Sequence, residues 1–313
     1  MVLISYKAKQ FLVFLVKLLI VIGALYFIYK QLANNNALQW QEFYVLVTTN
    51  WTFATVFLLL LFSFTNRFLE ILKWKNLVLV VKKIAIQEAS KQVLAALTAG
   101  IFTPNGVGEY AGKALYFDKN QTKTIVFLNL VCNGVQMILT VFFGVLGLFY
   151  LGYFLYGVYV LFALVLLFIV LFFTKKITIK GYSLNKLVFK IKEIPKQIHN
   201  KNNMLAVGRY LVFSHQYYFL FTVFGVQNIS YLNLMATISV VYFLASCLPS
   251  FQFLDFAVKG SVGVYFFGKL DINEWIVVFV STLMWFLNVV LPVLIGSYFV
   301  LSFKVNHKPK FKS

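Results

Sequence analysis

The stretch Val135–Phe173, VQMILTVFFGVLGLFYLGYFLYGVYVLFALVLLFIVLFF, decides the fold. It carries no charged residue and is too long for one crossing of a bilayer, which takes about 20 apolar residues. The small polar break at Gly152–Tyr153 divides it into two helices joined by a tight outer hairpin.

Outward from this pair, Phe11–Tyr29, Thr52–Phe64, Leu211–Val226 and Trp275–Phe303 are also almost free of charge. The expected full spans are 11–29, 51–72, 123–148, 151–173, 207–226 and 275–302. Composition agrees, because 61% of the 313 residues are hydrophobic and only 12% are charged, against roughly half and a quarter in soluble domains. The first apolar stretch is too long for a signal-peptide core and lacks a small-residue cleavage site, so it reads as a retained helix. The expectation is an all-α polytopic membrane protein, a single integral membrane domain over 1–313.

Two further apolar stretches, 88–117 and 231–268, are each interrupted by proline, at Thr103-Pro104-Asn105-Gly106-Val107-Gly108 and at Leu248-Pro249-Ser250. Such breaks leave backbone groups unsatisfied, which is tolerated only inside protein or a wet cavity. Both stretches read as re-entrant pairs of half-helices. The second is alternatively two full spans, so the expected number of transmembrane helices is about six to eight.

A net charge of +19 would suit nucleic acid, but its distribution argues for membrane topology. Most of the 28 basic residues fall in segments assigned to one side. These are Lys7 and Lys9, the group from Lys73 to Lys91, Lys119 and Lys123, the central 174–206 loop with Arg209, and the tail from Lys304. Lys30 and Lys269 fall opposite, beside Glu42, Asp271 and Glu274. That asymmetry puts both termini in the cytoplasm. Within the loop, Leu184, Leu187, Val188, Ile191, Ile194 and Ile198 recur at helical spacing among lysines. This pattern predicts a basic amphipathic helix on an anionic leaflet; a solvated loop with some apolar contact to the bundle is the alternative.

Ionisable groups at membrane depth are costly and mark function by default. Arg67, Glu109, Lys113, Asp255 and Lys259 stand out, and their arrangement repeats. In each interrupted stretch a proline is followed by an acid and, four residues on, a base, which places acid and base on one helical face. Two broken helices in an internal repeat are the pattern of binding sites in secondary transporters. Thr103 or Asn105, and Ser250, would cap the half-helices, whose free N–H groups suit a phosphate. The plainer reading is that each pair neutralises itself for burial. Asn129, Asn133 and Gln136 share a face of one helix, as do Ser281, Trp285 and Asn288, and Ser63, Arg67 and Glu70. They read as inter-helix hydrogen bonds or as cavity lining.

The candidate substrate-binding set is therefore Arg67, Thr103, Asn105, Glu109, Lys113, Asn133, Gln136, Ser250, Asp255 and Lys259. His215 reads as a packed or hydrogen-bonded histidine. The three histidines lie far apart, so neither a metal site nor a cofactor is expected. Cys132 and Cys247 read as small buried hydrophobes without a disulfide. Gly106-Val107-Gly108 lacks the full dinucleotide pattern, and Asn228-Ile229-Ser230 is a weak glycosylation match.

With these residues in hand, the chain resembles the lysylphosphatidylglycerol synthase transmembrane-region family, a flippase-like membrane domain. Asn66-Arg67 through Lys73-Trp74 is similar to its Arg…Arg/Lys-Trp element. Thr103 through Glu109 is similar to its Pro-Gly-x-x-Gly-Glu element, with Lys113 at a position where arginine is common. Leu248-Pro249 through Asp255 and Lys259-Gly260 resembles its late Pro…Glu…Arg-Gly element, and Trp285, Asn288 and Pro292 fit a frequent ending. Asn105 stands where glycine is usual. The resemblance implies a protein that moves charged-head-group phospholipid between leaflets of the bacterial inner membrane. The namesakes' aminoacyl-transfer domain is not expected, since the sequence ends at Ser313 soon after the last apolar stretch. Expected partners are membrane lipids, anionic phospholipid above all, and no nucleic acid. The alternatives are an integral-membrane enzyme on lipid-phosphate or polyprenyl substrates, and a non-transporting partner of an envelope lipid or glycan synthesis complex.

Overall fold

The computed structural model describes residues 15, 26, 44, 45, 48–101, 103, 106–178, 183–248 and 250–302. The expected span 11–29, apart from residues 15 and 26, lies outside them, as do Pro104, Asn105 and Pro249.

Regular structure among the described residues is helical. α1 (Phe53–Leu77) is extended by a 3-10 turn, Val78–Val80. α2 (Ile86–Ile101) and α3 (Val107–Ala114) are the first broken pair. α4 (Thr122–Tyr150) and α5 (Phe154–Thr174) come from the stretch quoted above. α6 (Leu184–Glu193), α7 (Lys196–Val223) and α8 (Tyr231–Cys247) follow, then a 3-10 turn, Gln252–Leu254, leading into α9 (Asp255–Gly268). α10 (Glu274–Trp285) continues through a π segment, Phe286–Val290, into α11 (Leu291–Leu301).

Among the described residues, four helices are long and apolar enough to cross a membrane: Phe53–Val80, Thr122–Tyr150, Phe154–Thr174 and Glu274–Leu301. The protein is an α-helical membrane protein. The expected span 207–226 is part of the longer α7, which is not among the four. The reason is chemical, since Arg209, Ser214 and Gln216 lie within it and turn towards the bundle. The 174–206 loop is correspondingly shorter than expected, because α7 already begins at Lys196.

The hairpin at Gly152 forms for a local reason. Gly152 has φ of 81°, a conformation that side chains resist. The Tyr153 N–H reaches back to the Leu148 carbonyl at 2.9 Å and the Gly152 N–H to that of Phe149 at 3.1 Å, which closes the last turn of α4. Beyond it, α5 is apolar all round and scarcely buried, with 6% of its most apolar window covered by protein. Such a helix meets lipid on nearly every side.

α2 and α3 fold back on each other closely. A Cβ on Gly108 would collide with the Ala99 carbonyl, and one on Gly112 would lie 2.9 Å from the Ala96 Cα. Small residues four apart on α3 thus let two backbones touch, as membrane helices do where shape replaces the hydrophobic drive. α3 has eight residues and is far too short to cross. α8 packs on α4, α2 on α11, α1 on α7, and α9 on α10.

The two largest apolar clusters among the described residues hold most of the bundle. One gathers Leu59, Tyr217, Phe221, Val277 and Met284, and the other Ile71, Trp74, Val93, Leu128 and Cys132. On α1 the polar residues Ser63, Asn66 and Arg67 fall between the two. α6 forms as the amphipathic pattern predicts, with Ser183 accepting from the Lys186 N–H at its start. Leu187, Ile194 and Ile198 pack on the second cluster, while Val188, Phe189 and Ile191 stay exposed. Both cysteines are free thiols. Cys132 is buried as expected, but Cys247, at the end of α8, is exposed.

Candidate functional site

α1 carries Ser63, Asn66, Arg67, Glu70 and Lys73 along one face, at spacings of three and four residues. α7 adds Arg209 and Gln216, and the π segment adds Asn288. These side chains form one continuous network. The Gln216 amide donates to Ser63 Oγ at 2.9 Å and accepts from Asn288 Nδ2 at 2.9 Å. Asn288 Oδ1 accepts from Asn66 Nδ2 at 2.6 Å, and Asn66 Oδ1 accepts from Arg209 Nε at 3.0 Å. Arg67 and Arg209 then meet on one carboxylate, Glu70, at 2.6 and 3.1 Å.

The backbone of the last span supplies a further acceptor. Pro292 has no N–H to give the carbonyl four residues before it, and its ring crowds that carbonyl. The carbonyl belongs to Asn288, and Arg67 Nη2 takes it at 2.6 Å. Proline, π segment and arginine form one device, in which the helix gives up a bond and a cation uses the freed oxygen.

Facing this network, α3 presents Glu109, whose carboxylate holds Lys113 Nζ at 2.9 Å. Lys113 is fully buried, donates to Asn129 Oδ1 at 2.6 Å and lies 4.8 Å from the Trp74 ring centre. Lys73, also fully buried, donates to the Cys132 carbonyl at 3.0 Å and to Gln136 Oε1 at 3.4 Å. It makes no ion pair among the described residues. On α9, Lys259 pairs with Asp255 at 2.6 Å and sits 5.1 Å from the Tyr242 ring centre. This second pair is partly exposed, at 30% and 24% of the two side chains.

These walls border an open cavity of about 430 Å³. Arg67, Gln136 and Asn288, which line it, fall at the midpoints of the apolar helices Phe53–Val80, Thr122–Tyr150 and Glu274–Leu301. Some polar atoms of the lining residues also lack partners. Arg67 Nε, Gln136 Nε2, Gln252 Oε1 and Trp285 Nε1 are buried and make no hydrogen bond, a state that buried polar groups rarely keep without a ligand or water.

Of the residues expected from sequence, Arg67, Glu109, Asn133, Gln136, Asp255 and Lys259 line the cavity. Lys113 stands one layer behind Glu109. Thr103 caps the half-helix as expected, though from outside the N-cap position, which Gly106 holds in the left-handed conformation with φ of 64°. Thr103 Oγ1 accepts the Gly108 N–H at 2.8 Å and bonds the Gly100 carbonyl, so that N–H is already used and not open to a phosphate. One expectation is corrected: Ser250 does not cap α9, because the intervening 3-10 turn makes Leu254 the N-cap and brings Gln252 to the cavity. Asn105 lies outside the described residues.

Two basic residues assigned by sequence to the polar surface are in fact internal. Arg209 is a cavity residue on α7, and Lys73 is sealed between α1 and α4. The signal for Arg209 was its place with Gln216 on one face of an apolar stretch; the adjacent basic loop masked it. Tyr242 and Gln252 gave no signal, since each depends on how α8 and α9 pack. His215 is held by the Leu211 carbonyl at 2.7 Å and the Tyr231 hydroxyl at 2.9 Å, a hydrogen-bonded histidine.

No family model matches the chain, and no curated protein matches it.

Proposed function

We propose that the protein binds a lipid with an anionic head group in the midplane cavity and carries it between leaflets, as a flippase-like protein of the bacterial inner membrane with both termini cytoplasmic. One observation carries this reading: Arg67 and Arg209 share a single carboxylate at the wall of a membrane-depth cavity. Two largely buried guanidiniums, 12% and 19% exposed, share one Glu70 and so carry more positive charge than it balances, and a poorly compensated charge out of water is costly. Lys73 adds to the excess from behind Gln136. An anion entering the cavity would relieve it by charge-assisted contacts with these groups. The likeness of the Thr103–Glu109 and Asp255–Gly260 elements to the lysylphosphatidylglycerol synthase membrane region supports the same reading. Arg67 can form the forked contact to phosphate, whereas lysines at 113 and 259 supply charge alone.

The test is reconstitution of the purified protein in liposomes with a head-group-labelled anionic lipid in one leaflet. Movement of label to the other leaflet is the expected result. Covalent change of the lipid would instead make the protein a lipid-phosphate enzyme. Neither movement nor change would favour a non-transporting partner of an envelope synthesis complex.

A further inference from the structure

Arg67 belongs to a second cavity as well. This groove, of about 400 Å³, runs between α1, α2 and α11 and is lined by Leu60, Phe64, Leu94, Leu291, Pro292 and Ile295. Its lining is almost entirely apolar, with Ser63 and Arg67 among its few polar members. Leu60, Phe64 and Ile295 are 46%, 65% and 57% exposed. They stand on helices long and apolar enough to cross the membrane, so the groove opens towards hydrocarbon and not towards water.

The charged cavity and the apolar groove therefore meet at one side chain. Pro292 also serves both, since it forms groove wall and frees the Asn288 carbonyl that fixes Arg67. A molecule with a charged end in the first cavity and a hydrocarbon chain in the second would pass directly beside Arg67, which lines both.

The charges of the polar side narrow the ligand. Arg67, Arg209 and Lys259 line it, with Lys73 and Lys113 behind, against Glu70, Glu109 and Asp255. Cations outnumber anions among these groups, and the excess is buried. A zwitterionic phosphodiester brings no net charge to such a place, whereas a terminal phosphate brings between one and two negative charges at neutral pH. We propose that the groove between α1, α2 and α11 seats a hydrocarbon chain of a lipid whose terminal phosphate lies in the charged cavity, with Arg67 at the junction of head group and chain. This rests on the lipid-binding reading above and adds to it where the chain goes and which head group is preferred.

Filling the groove from two walls tests it. Leu60→Trp on α1 and Ile295→Trp on α11 each put an indole into the groove at a lipid-facing position. The full-length protein is purified, checked for a monodisperse profile and unchanged melting temperature, and placed in phosphatidylcholine nanodiscs containing dioleoyl phosphatidic acid. Co-purified lipid is then quantified by mass spectrometry, and displacement by soluble glycerol 3-phosphate is measured in parallel. The expected result is enrichment of phosphatidic acid over phosphatidylcholine in the unaltered protein. Each tryptophan should reduce that enrichment by about tenfold, the worth of two or so buried methylenes, with no change in the concentration at which glycerol 3-phosphate competes.

Unchanged enrichment in a well-folded tryptophan variant would remove the chain from the groove and leave the head-group site standing. A parallel loss of glycerol 3-phosphate binding would show that the indole acts through the charged cavity, and would also overturn the proposal. No enrichment in the unaltered protein would defeat the lipid-binding reading itself. Competition by glycerol 3-phosphate without phosphatidic acid enrichment would identify a free phosphate compound as the ligand, and the chain seat would fall with it.

Discussion

Arg209 reaches Glu70 from another helix at 3.1 Å, and the carboxylate it meets is already held by Arg67 at 2.6 Å. One acid so shared keeps α1 and α7 together while leaving charge to spare. Replacing Arg209 by glutamine should keep the fold, because Glu70 retains Arg67, yet lower retention of anionic lipid by about ten- to a hundredfold, the range of one charge-assisted contact worth roughly 1–3 kcal/mol. Head-group-sorted lipid analysis of the purified variant checks this. Retention equal to that of the unaltered protein would make the Arg209–Glu70 pair a structural clamp only.

Glu70→Gln should act in the opposite sense on stability. Both guanidiniums then lose their only acidic partner among the described residues, and removing one member of a buried ion pair costs about 3–5 kcal/mol. Melting of the variant in detergent should fall sharply and recover in part when anionic lipid is added, since a ligand of the folded state stabilises it by mass action. No recovery would argue that lipid does not reach these arginines.

Lys73 offers a cleaner separation of stability from binding. It is fully buried with only a carbonyl and an amide oxygen as partners. Lys73→Met keeps similar length and removes the charge. Lipid-free thermal stability should rise by about 1–4 kcal/mol, while preference for anionic over neutral lipid narrows. A drop in both would show that the two oxygen contacts outweigh the desolvation of the ammonium group.

The two acid–base pairs, alike in sequence, should differ in behaviour. Glu109→Gln strands the buried Lys113, so it should cost stability as well as lipid movement. Asp255→Asn leaves Lys259 partly in the open cavity and should reduce lipid movement with little change in melting temperature. Paired transport and thermal-shift measurements decide, and equal stability losses would contradict the contrast in burial. Swapping Glu109 with Lys113 should restore stability before it restores transport.

Topology has its own test. With Cys132 and Cys247 replaced by alanine, a cysteine at Lys186 should resist a membrane-impermeant thiol reagent in intact cells, and one at Asp271 should react. The reverse pattern would turn the protein over in the bilayer.

What could be read from the sequence follows the physics of each signal. α4, α5 and the last span were legible because lipid-facing helices must be apolar along their length. α7 was not read at its full extent, because its polar side chains turn inward and lower the hydropathy that marks a span. Arg209 was misplaced for the same reason, since a charge beside a basic loop looks like surface until a partner 3.1 Å away on α1 is known. The pairs Glu109–Lys113 and Asp255–Lys259 were legible because spacing along one helix is a local property. Their different burial was not, for it depends on Trp74, Asn129 and Tyr242 from other helices. The caps divided. Thr103 reaches the Gly108 N–H past a left-handed glycine, whereas an inserted 3-10 turn displaced Ser250 from the start of α9.

The π segment sets the smallest step by which the last span can be reset. A π turn holds one residue more than the α turn it replaces, so absorbing it would shift everything beyond Val290 by one position, a rotation of about 100°. Leu291 and Ile295 would then swing away from the groove, and the Asn288 carbonyl would be withdrawn from Arg67. The bond from Thr98 Oγ1 to the Val293 carbonyl, at 3.1 Å, is the latch that such a step must break. Gly296 holds the same register, since a Cβ there would collide with the Leu94 carbonyl, so the one-residue step would bring a side chain to a place with no room for it.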